Sequence, residues 1–394
     1  MGRSPEAELA GLRAAGLARA VRPLDSPQGP EIVAGGRALL NLSSNDYLGF
    51  AADPALAEAA AAAARAFGAG SGSARLICGT LPPHAALEQR LAAFKRTESA
   101  LAFSSGYATA VGAIPACAGP GDTVILDKLA HASLIDGARL SGATLRVFPH
   151  NHTGKLARLL ASVPRPADSR VLVVTESVFS MDGDAAPLAE IAALCQAHDA
   201  TLLVDEAHAV GVVGPEGRGL VDALGLGGSV ALQMGTLSKA LGASGGYLAA
   251  SRPWTDLLVN RARSFIYSTA PAPAAAAAAT AALERLASPG GAAALARLRE
   301  NLRHLQSALP ARFRPEPEPA GAIFPLILGG ERLAVAAARW LRHRGILAPA
   351  IRYPTVPRGQ ARLRVTLSAA HTPAQIERLV ETLRQLDRLL ASRG

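Results

Sequence analysis

Residues 201–208 read TLLVDEAH: a strand-forming run, Thr201–Val204, delivers Asp205, Glu206, Ala207 and His208 at its end. Two further runs share this layout. Val171–Thr175 (VLVVT) leads into Glu176, Ser177 and then Ser180, Met181, Asp182 and Gly183, while Ala231–Met234 leads into Gly235, Thr236, Leu237, Ser238 and Lys239. From about Asp46 to Ala270 such short runs alternate with alanine-rich helical segments, the pattern of a mostly parallel α/β sheet with helices on both faces. In open sheets of this kind ligands bind beyond the carboxyl ends of the strands. A carboxylate, a histidine, hydroxyls and a lysine therefore converge on one edge.

Outward from this core, residues 1–45 read as an N-terminal arm: an amphipathic helix over Glu6–Val21, a Pro/Gly-containing turn, and a strand at Arg37–Leu42. The large α/β unit is expected over 46–272. Residues 273–394 form a connecting helix and a smaller α+β unit. The connecting helix begins past Pro273 in the alanine tract 271–287, followed by strands at Ile323–Leu328 and Ala361–Leu367 and helices at Leu333–Arg344 and Pro373–Ala391. No internal repeat is present.

The 394 residues, 49% hydrophobic, suffice for a large core. The apolar stretches, such as Ala59–Ala64 and Ala274–Ala279, are far shorter than the roughly 18 residues of a membrane span, and the N-terminus carries Glu6 and Glu8 where a secretory signal would be basic and then apolar. Cys78, Cys117 and Cys195 fit no zinc or redox spacing, which suits a reducing compartment. These features predict a cytoplasmic protein without membrane or metal. The net charge of +9 comes from four lysines and arginines scattered through the chain, without an aromatic-basic patch, so an anionic small molecule is the expected partner rather than nucleic acid.

Lys239 lies among Gly235, Ser238, Ala240, Gly242, Ser244 and Gly245, and such small neighbours suit a flat cofactor pressed against the backbone. Asp205 at a strand end can hold the protonated ring nitrogen of pyridoxal phosphate, or serve as a cap or structural ion pair. A phosphate needs backbone N–H groups at a helix start. Ser104, Ser105, Gly106 and Tyr107 supply these ahead of the helical Ala108–Ile114, and Thr236 adds a hydroxyl. The glycines of residues 68–72 (GAGSG) follow no strand and precede no Gly-Lys-Ser/Thr, so they are not a nucleotide loop. His131, after the run Val124–Leu126, either lies flat over a ring or is an ordinary structural histidine.

Taken together, SSNDYLG (43–49), GSGSAR (70–75), FSSGY (103–107), HASL (131–134), TESVFSMDGDAAPL (175–188), DEAHAVG (205–211), GRG (217–219), GTLSKALG (235–242) and YST (267–269) resemble the α-oxoamine synthase family of fold-type I pyridoxal-phosphate enzymes over nearly the whole chain. The resemblance implies Lys239 as the Schiff-base lysine, Asp205 as the ring-nitrogen partner and His131 over the ring. It places Ser180 and His208 by the ring hydroxyl, and Thr236 with the backbone of Gly106 and Tyr107 around the cofactor. Arg19 and Thr355 fall where the family contacts substrate, and Asn45 and Arg352 where it holds the amino-acid carboxylate. Ser268 and Thr269 match a segment that reaches the phosphate of a neighbouring subunit, implying a homodimer with shared sites.

Within the family, FSMDGDAAPL (179–188) and AIRYPTVPRGQARLRVTL (350–367) are most similar to members that condense L-alanine with pimeloyl-CoA or a pimeloyl-carrier protein in biotin biosynthesis. Condensation of glycine with acetyl-CoA shares most of these motifs. A catalytically silent partner subunit would not need Lys239 and Asp205, and a pyridoxal-binding transcription regulator has no room for a DNA-binding domain before residue 40. His152, Val210 and Tyr353 depart from the pattern, and Tyr353 bears on specificity because it adjoins Arg352.

Overall fold

The computed structural model describes residues 4–15 and 17–392. Strands β1 (Glu31–Ala34) and β2 (Arg37–Asn41) form an antiparallel pair near the N-terminus. A seven-stranded sheet follows: β3 (Ser99–Phe103), β4 (Thr123–Asp127), β5 (Thr144–Phe148), β6 (Val171–Glu176), β7 (Thr201–Asp205), β8 (Leu232–Thr236) and β9 (Gly246–Ala250), in the spatial order β3-β9-β8-β7-β6-β4-β5. Only β9 runs against its neighbours; the other contacts in the sheet are parallel.

Burial of both faces explains why β4, β6, β7 and β8 read as largely continuous apolar runs rather than alternating ones. Alternate side chains point to opposite faces. Leu172 and Val174 of β6 pack with Ile114 and Leu134 on one side, while Val171 and Val173 pack with Leu160 and Ile191 on the other. Helices Gly106–Cys117 and Ala132–Ser141 cover the first face, and helices Thr153–Ser162 and Leu188–Ala197 the second. Asp127, Glu176, Asp205 and Thr236 close β4, β6, β7 and β8 at the same edge, with Glu176 directly opposite Asp205 and Asp205 opposite Met234.

The C-terminal part contains β10 (Ile323–Gly329), β11 (Ile346–Leu347), β12 (Ala350–Ile351) and β13 (Ala361–Thr366). The antiparallel sheet β10-β13-β12 shares a core with helices Pro289–Ala308, Glu331–His343 and Pro373–Ala391. Strand β11 pairs in parallel with β2, so the strand expected at Arg37–Leu42 is tied to the C-terminal part of the chain. Two expectations need correction. The N-terminal helix is Pro5–Ala14, capped by Ser4, and does not reach Val21; none of its residues is buried, so no packing extends it beyond its local hydrogen bonds. The alanine tract forms one helix, Pro273–Ala287, but a second capped by Ser288 follows at once, Pro289–Ala308. Its Gly290–Gly291 start hid it in the sequence.

Candidate active site

At the end of β7, Asp205 is buried and its Oδ1 accepts the backbone N–H of Ala207 at 2.9 Å. Burial pushes its carboxyl up from the ordinary value, and the Lys239 cation opposes that rise. His208, one turn on, is also buried, and burial followed by the positive charge of Lys239 holds its imidazole well below the ordinary value, so the ring is neutral. Its Nε2 lies 2.8 Å from Lys239 Nζ and its Nδ1 2.7 Å from the Tyr47 hydroxyl.

Donor and acceptor roles in this group follow from simple counting. Tyr47 donates its one proton to Asn45 Oδ1 at 3.1 Å, so His208 donates from Nδ1 to the phenol oxygen and accepts at Nε2 from Lys239. Asn45 Oδ1 also accepts two N–H groups of Arg364, each at 3.2 Å. A continuous chain thus runs from Lys239 through His208, Tyr47 and Asn45 to Arg364. The amine at its head is drawn down to about 8, chiefly by burial and against the pull of Asp205 and Glu176.

Thr236, at the end of β8, shares a hydrogen bond with Ser238 (2.7 Å) and donates to the Gly245 carbonyl (3.0 Å). A Cβ added to Gly106 would lie 3.4 Å from Thr236 Cβ, which places the first turn of helix Gly106–Cys117 against that hydroxyl. Ser105 caps this helix through Ala108 N at 3.0 Å. Gly246 is forced to be glycine, since a Cβ there would sit 2.5 Å from Gly106 N. The Tyr107 side chain is exposed and donates to Asp136 at 2.6 Å, so what it offers to this corner is its backbone. On the neighbouring strand end, His131 precedes helix Ala132–Ser141, its Nδ1 2.8 Å from Ser133 Oγ and its backbone N–H bound to Glu176 at 2.6 Å. Ser180 lies in the turn after β6, and its carbonyl accepts from Arg364 Nε at 2.7 Å.

Not every expected residue joins this group. Arg19, Arg352 and Thr355 line a separate cleft with Leu17 and Tyr353. The arginine beside Asn45 is Arg364, whereas Arg352, expected like Asn45 to hold the amino-acid carboxylate, stands in this cleft. Ser268 and Thr269 follow the short helix Arg263–Ile266, where Thr269 bridges to Ala74 and both flank Arg75 and Ser104. Among the described residues no cluster of histidine, cysteine and carboxylate side chains is arranged for a metal, and no helix is long and apolar enough to cross a membrane.

Residues 37–383 match the family described as aminotransferase class I and II. An 8-amino-7-oxononanoate synthase of Anaeromyxobacter dehalogenans (strain 2CP-1) is 52% identical over 382 residues, 96% of this chain and 94% of that one. The chain belongs to the class I and II aminotransferase family, in its α-oxoamine synthase branch.

Solved α-oxoamine synthase structures superpose on it closely. A serine palmitoyltransferase variant from S. paucimobilis, with a bound PLP–myriocin aldimine, gives a TM-score of 0.92 at 33% identity over 98% of this chain and 97% of that one. The 8-amino-7-oxononanoate synthase of Francisella tularensis gives 0.76 at 26% identity over 90% and 99%. The fold is that of a fold-type I pyridoxal-phosphate transferase. Sequence reading of this α-oxoamine synthase passed over Tyr47 and Arg364, although both stand inside quoted motifs. A signal was present for Arg364: ARLRVT (361–366) puts Arg362 and Arg364 on one face of an otherwise apolar strand, and arginines are rarely so buried unless paired.

Proposed function

We propose that this α-oxoamine synthase is a pyridoxal-phosphate-dependent acyltransferase that condenses L-alanine with a pimeloyl thioester, on CoA or on a carrier protein, giving 8-amino-7-oxononanoate, carbon dioxide and free thiol for biotin biosynthesis. The observation that carries the reading is Lys239: its amine, drawn down to about 8, meets a buried carboxylate and a neutral histidine at one strand edge. Those residues fit the cofactor. Asp205 is a buried acid without a hydrogen-bonded cation among the described residues, as a protonated ring nitrogen requires of its partner. Lys239 would hold the aldehyde carbon, Ser180 and His208 the ring hydroxyl, and Thr236 with the N–H groups of Gly106 and Tyr107 the phosphate. His131 would cover the ring. Ser268 and Thr269 of a second copy would reach the same phosphate, making the enzyme a homodimer with shared sites.

When bound, pyridoxal phosphate supplies an electron sink that stabilises negative charge on the α-carbon of an amino acid. The chain's own groups do the rest. Arg364, held by Asn45 and the Ser180 carbonyl, binds and orients the alanine carboxylate. Lys239, with its pKa near working pH, takes the α-proton as general base. His208 stays neutral and accepts the lysine N–H, so the amine's lone pair is aimed without adding a second cation. Arg19, Arg352 and Thr355 serve the thioester at the rim. Three unpaired cysteines, one of them exposed, accord with a reducing cytoplasm.

The resemblance to serine palmitoyltransferase favours a second reading, L-serine with a long-chain acyl-CoA; 52% identity against 33% ranks it below the first. Thiol release settles the choice. Purified enzyme is mixed with L-alanine, glycine or L-serine against pimeloyl-CoA, acetyl-CoA or palmitoyl-CoA, and rapid release is expected only with alanine and pimeloyl-CoA. Release with another pair moves the assignment to that pair. Absence of a cofactor absorbance band would remove it.

A further inference from the structure

Glu176 has no part in the roles assigned so far, yet it closes β6 directly opposite Asp205 and is 2% exposed. Two carboxyls side by side at a buried sheet edge are unfavourable, and burial together with the Asp205 charge pushes Glu176 well above its ordinary value. Its side chain accepts one hydrogen bond among the described residues: the backbone N–H of His131, at 2.6 Å across the neighbouring strand β4. That peptide lies in a tight turn, where Asp127 binds Leu129 N (2.7 Å) and Ala130 N bonds back to the Asp127 carbonyl (3.1 Å). Ser133 holds the ring itself at Nδ1, while Glu176 holds the backbone from which the ring projects, leaving Nε2 without a protein partner among the described residues.

We infer that Glu176 is a positioning residue, which sets the His131 imidazole over the reaction site by holding its peptide N–H. The inference rests on the proposed cofactor chemistry for what His131 does there, but the hydrogen bond itself belongs to the bare protein. What His131 requires of residue 176 is an acceptor oxygen, not a charge. Glutamine supplies that oxygen, and methionine fills similar space without it.

Two measurements test this. In the cofactor-free protein, ring ¹⁵N–¹H spectra should show the His131 resonances shifted in Glu176→Met and near their original position in Glu176→Gln. With cofactor loaded, Glu176→Met should lose about 10-fold in kcat/KM, the cost of leaving the His131 N–H without its buried acceptor, and Glu176→Gln should recover most of it. In a His131→Ala background Glu176→Met should cost little more, because residues acting through one another are not additive. Unmoved His131 resonances in Glu176→Met, a glutamine variant as impaired as the methionine one, or additive losses with His131→Ala would each overturn the inference. Failure of the cofactor reading is distinct: it shows as a wild-type protein without the absorbance band, and the spectra of the bare protein still decide the role of Glu176.

Discussion

Around Lys239 the side chains of His208, Tyr47, Asn45 and Arg364 hold one another in sequence, while Arg19, Arg352 and Thr355 line their cleft without a side-chain hydrogen bond among the described residues. The first group stands on strand β13, just beyond the ends of β7 and β8, and on the SSNDYLG segment, and is largely buried. In the second, Arg19 and Thr355 are exposed and Tyr353 is 39% exposed, with Arg358 over its ring. Chemistry at a proton needs donors fixed within a fraction of an ångström, and rigid elements supply that. A long acyl thioester asks only for a rim that adapts. Damage to the first region should therefore appear in kcat and damage to the second in KM.

The largest effect is expected for Lys239→Ala. Thiol release should fall to background at any alanine concentration, since the same amine is assigned both to hold the cofactor and to take the α-proton. Turnover at the wild-type rate would mean that the comparison has its rigid side in the wrong place. Next comes the far end of the chain. Arg364→Ala removes a buried cation from Asn45 and Ser180, and a hydrogen bond to a charged group contributes about 1.5–3 kcal/mol, so kcat/KM for alanine should drop about 10- to 100-fold. Arg352→Ala should leave that constant close to wild type. If the two variants change places, the carboxylate is held in the open cleft instead.

A third prediction probes how firmly the rigid edge is tied down. His150 bridges Asp127 at 3.0 Å and Asp184 at 2.9 Å, linking the end of β4 to the turn that carries Ser180. Burial lowers its pKa, but the hydrogen bonds and charges of the two aspartates overcome this and raise it to about 10 from an ordinary 6.5. The folded protein thus binds this proton more tightly than the unfolded chain. Its contribution to stability is full below 6.5 and is lost as pH rises toward 10. In denaturant titrations His150→Gln should be less stable than wild type at pH 6.5, with the gap closing by pH 10. A gap independent of pH would show that the clamp is not ionic.

The two regions also differed in how far the sequence revealed them. The strand ends were legible because β6, β7 and β8 are buried on both faces: their apolar runs stop at the edge, and the next polar residue marks it. Lys239, Asp205 and His208 follow directly from that. The bridging residues were not legible, since Tyr47 lies 161 positions from His208 and Arg364 lies 319 from Asn45, and periodicity carries no information on such pairings. Helix Pro289–Ala308 was missed for a local reason, a Pro-Gly-Gly start that reads as a break although Ser288 caps it. The arm was over-read because the helical pattern continues to Val21 in composition while no residue of helix Pro5–Ala14 is buried.

The smallest effect belongs to the cleft and tests whether its arginines act as fixed contacts or as a charged rim. Exposed charges in water attract an anion weakly and at long range, within a screening length of about 8–10 Å at physiological salt. Arg19→Ala and Arg352→Ala, the first exposed and the second half-buried, should each raise KM for the thioester only about 2- to 5-fold, as expected for ionic contacts that water still reaches, of up to about 1 kcal/mol, and leave kcat and the alanine KM nearly unchanged. The chain's net charge of +9 adds a diffuse attraction to the same anion, so the wild-type thioester KM should climb with added salt and climb less steeply in either variant. Should the thioester KM prove indifferent to salt while kcat falls in Arg352→Ala, this arginine works as a fixed group like those around Lys239. The division between a rigid edge and an adaptable rim would then end at Arg19.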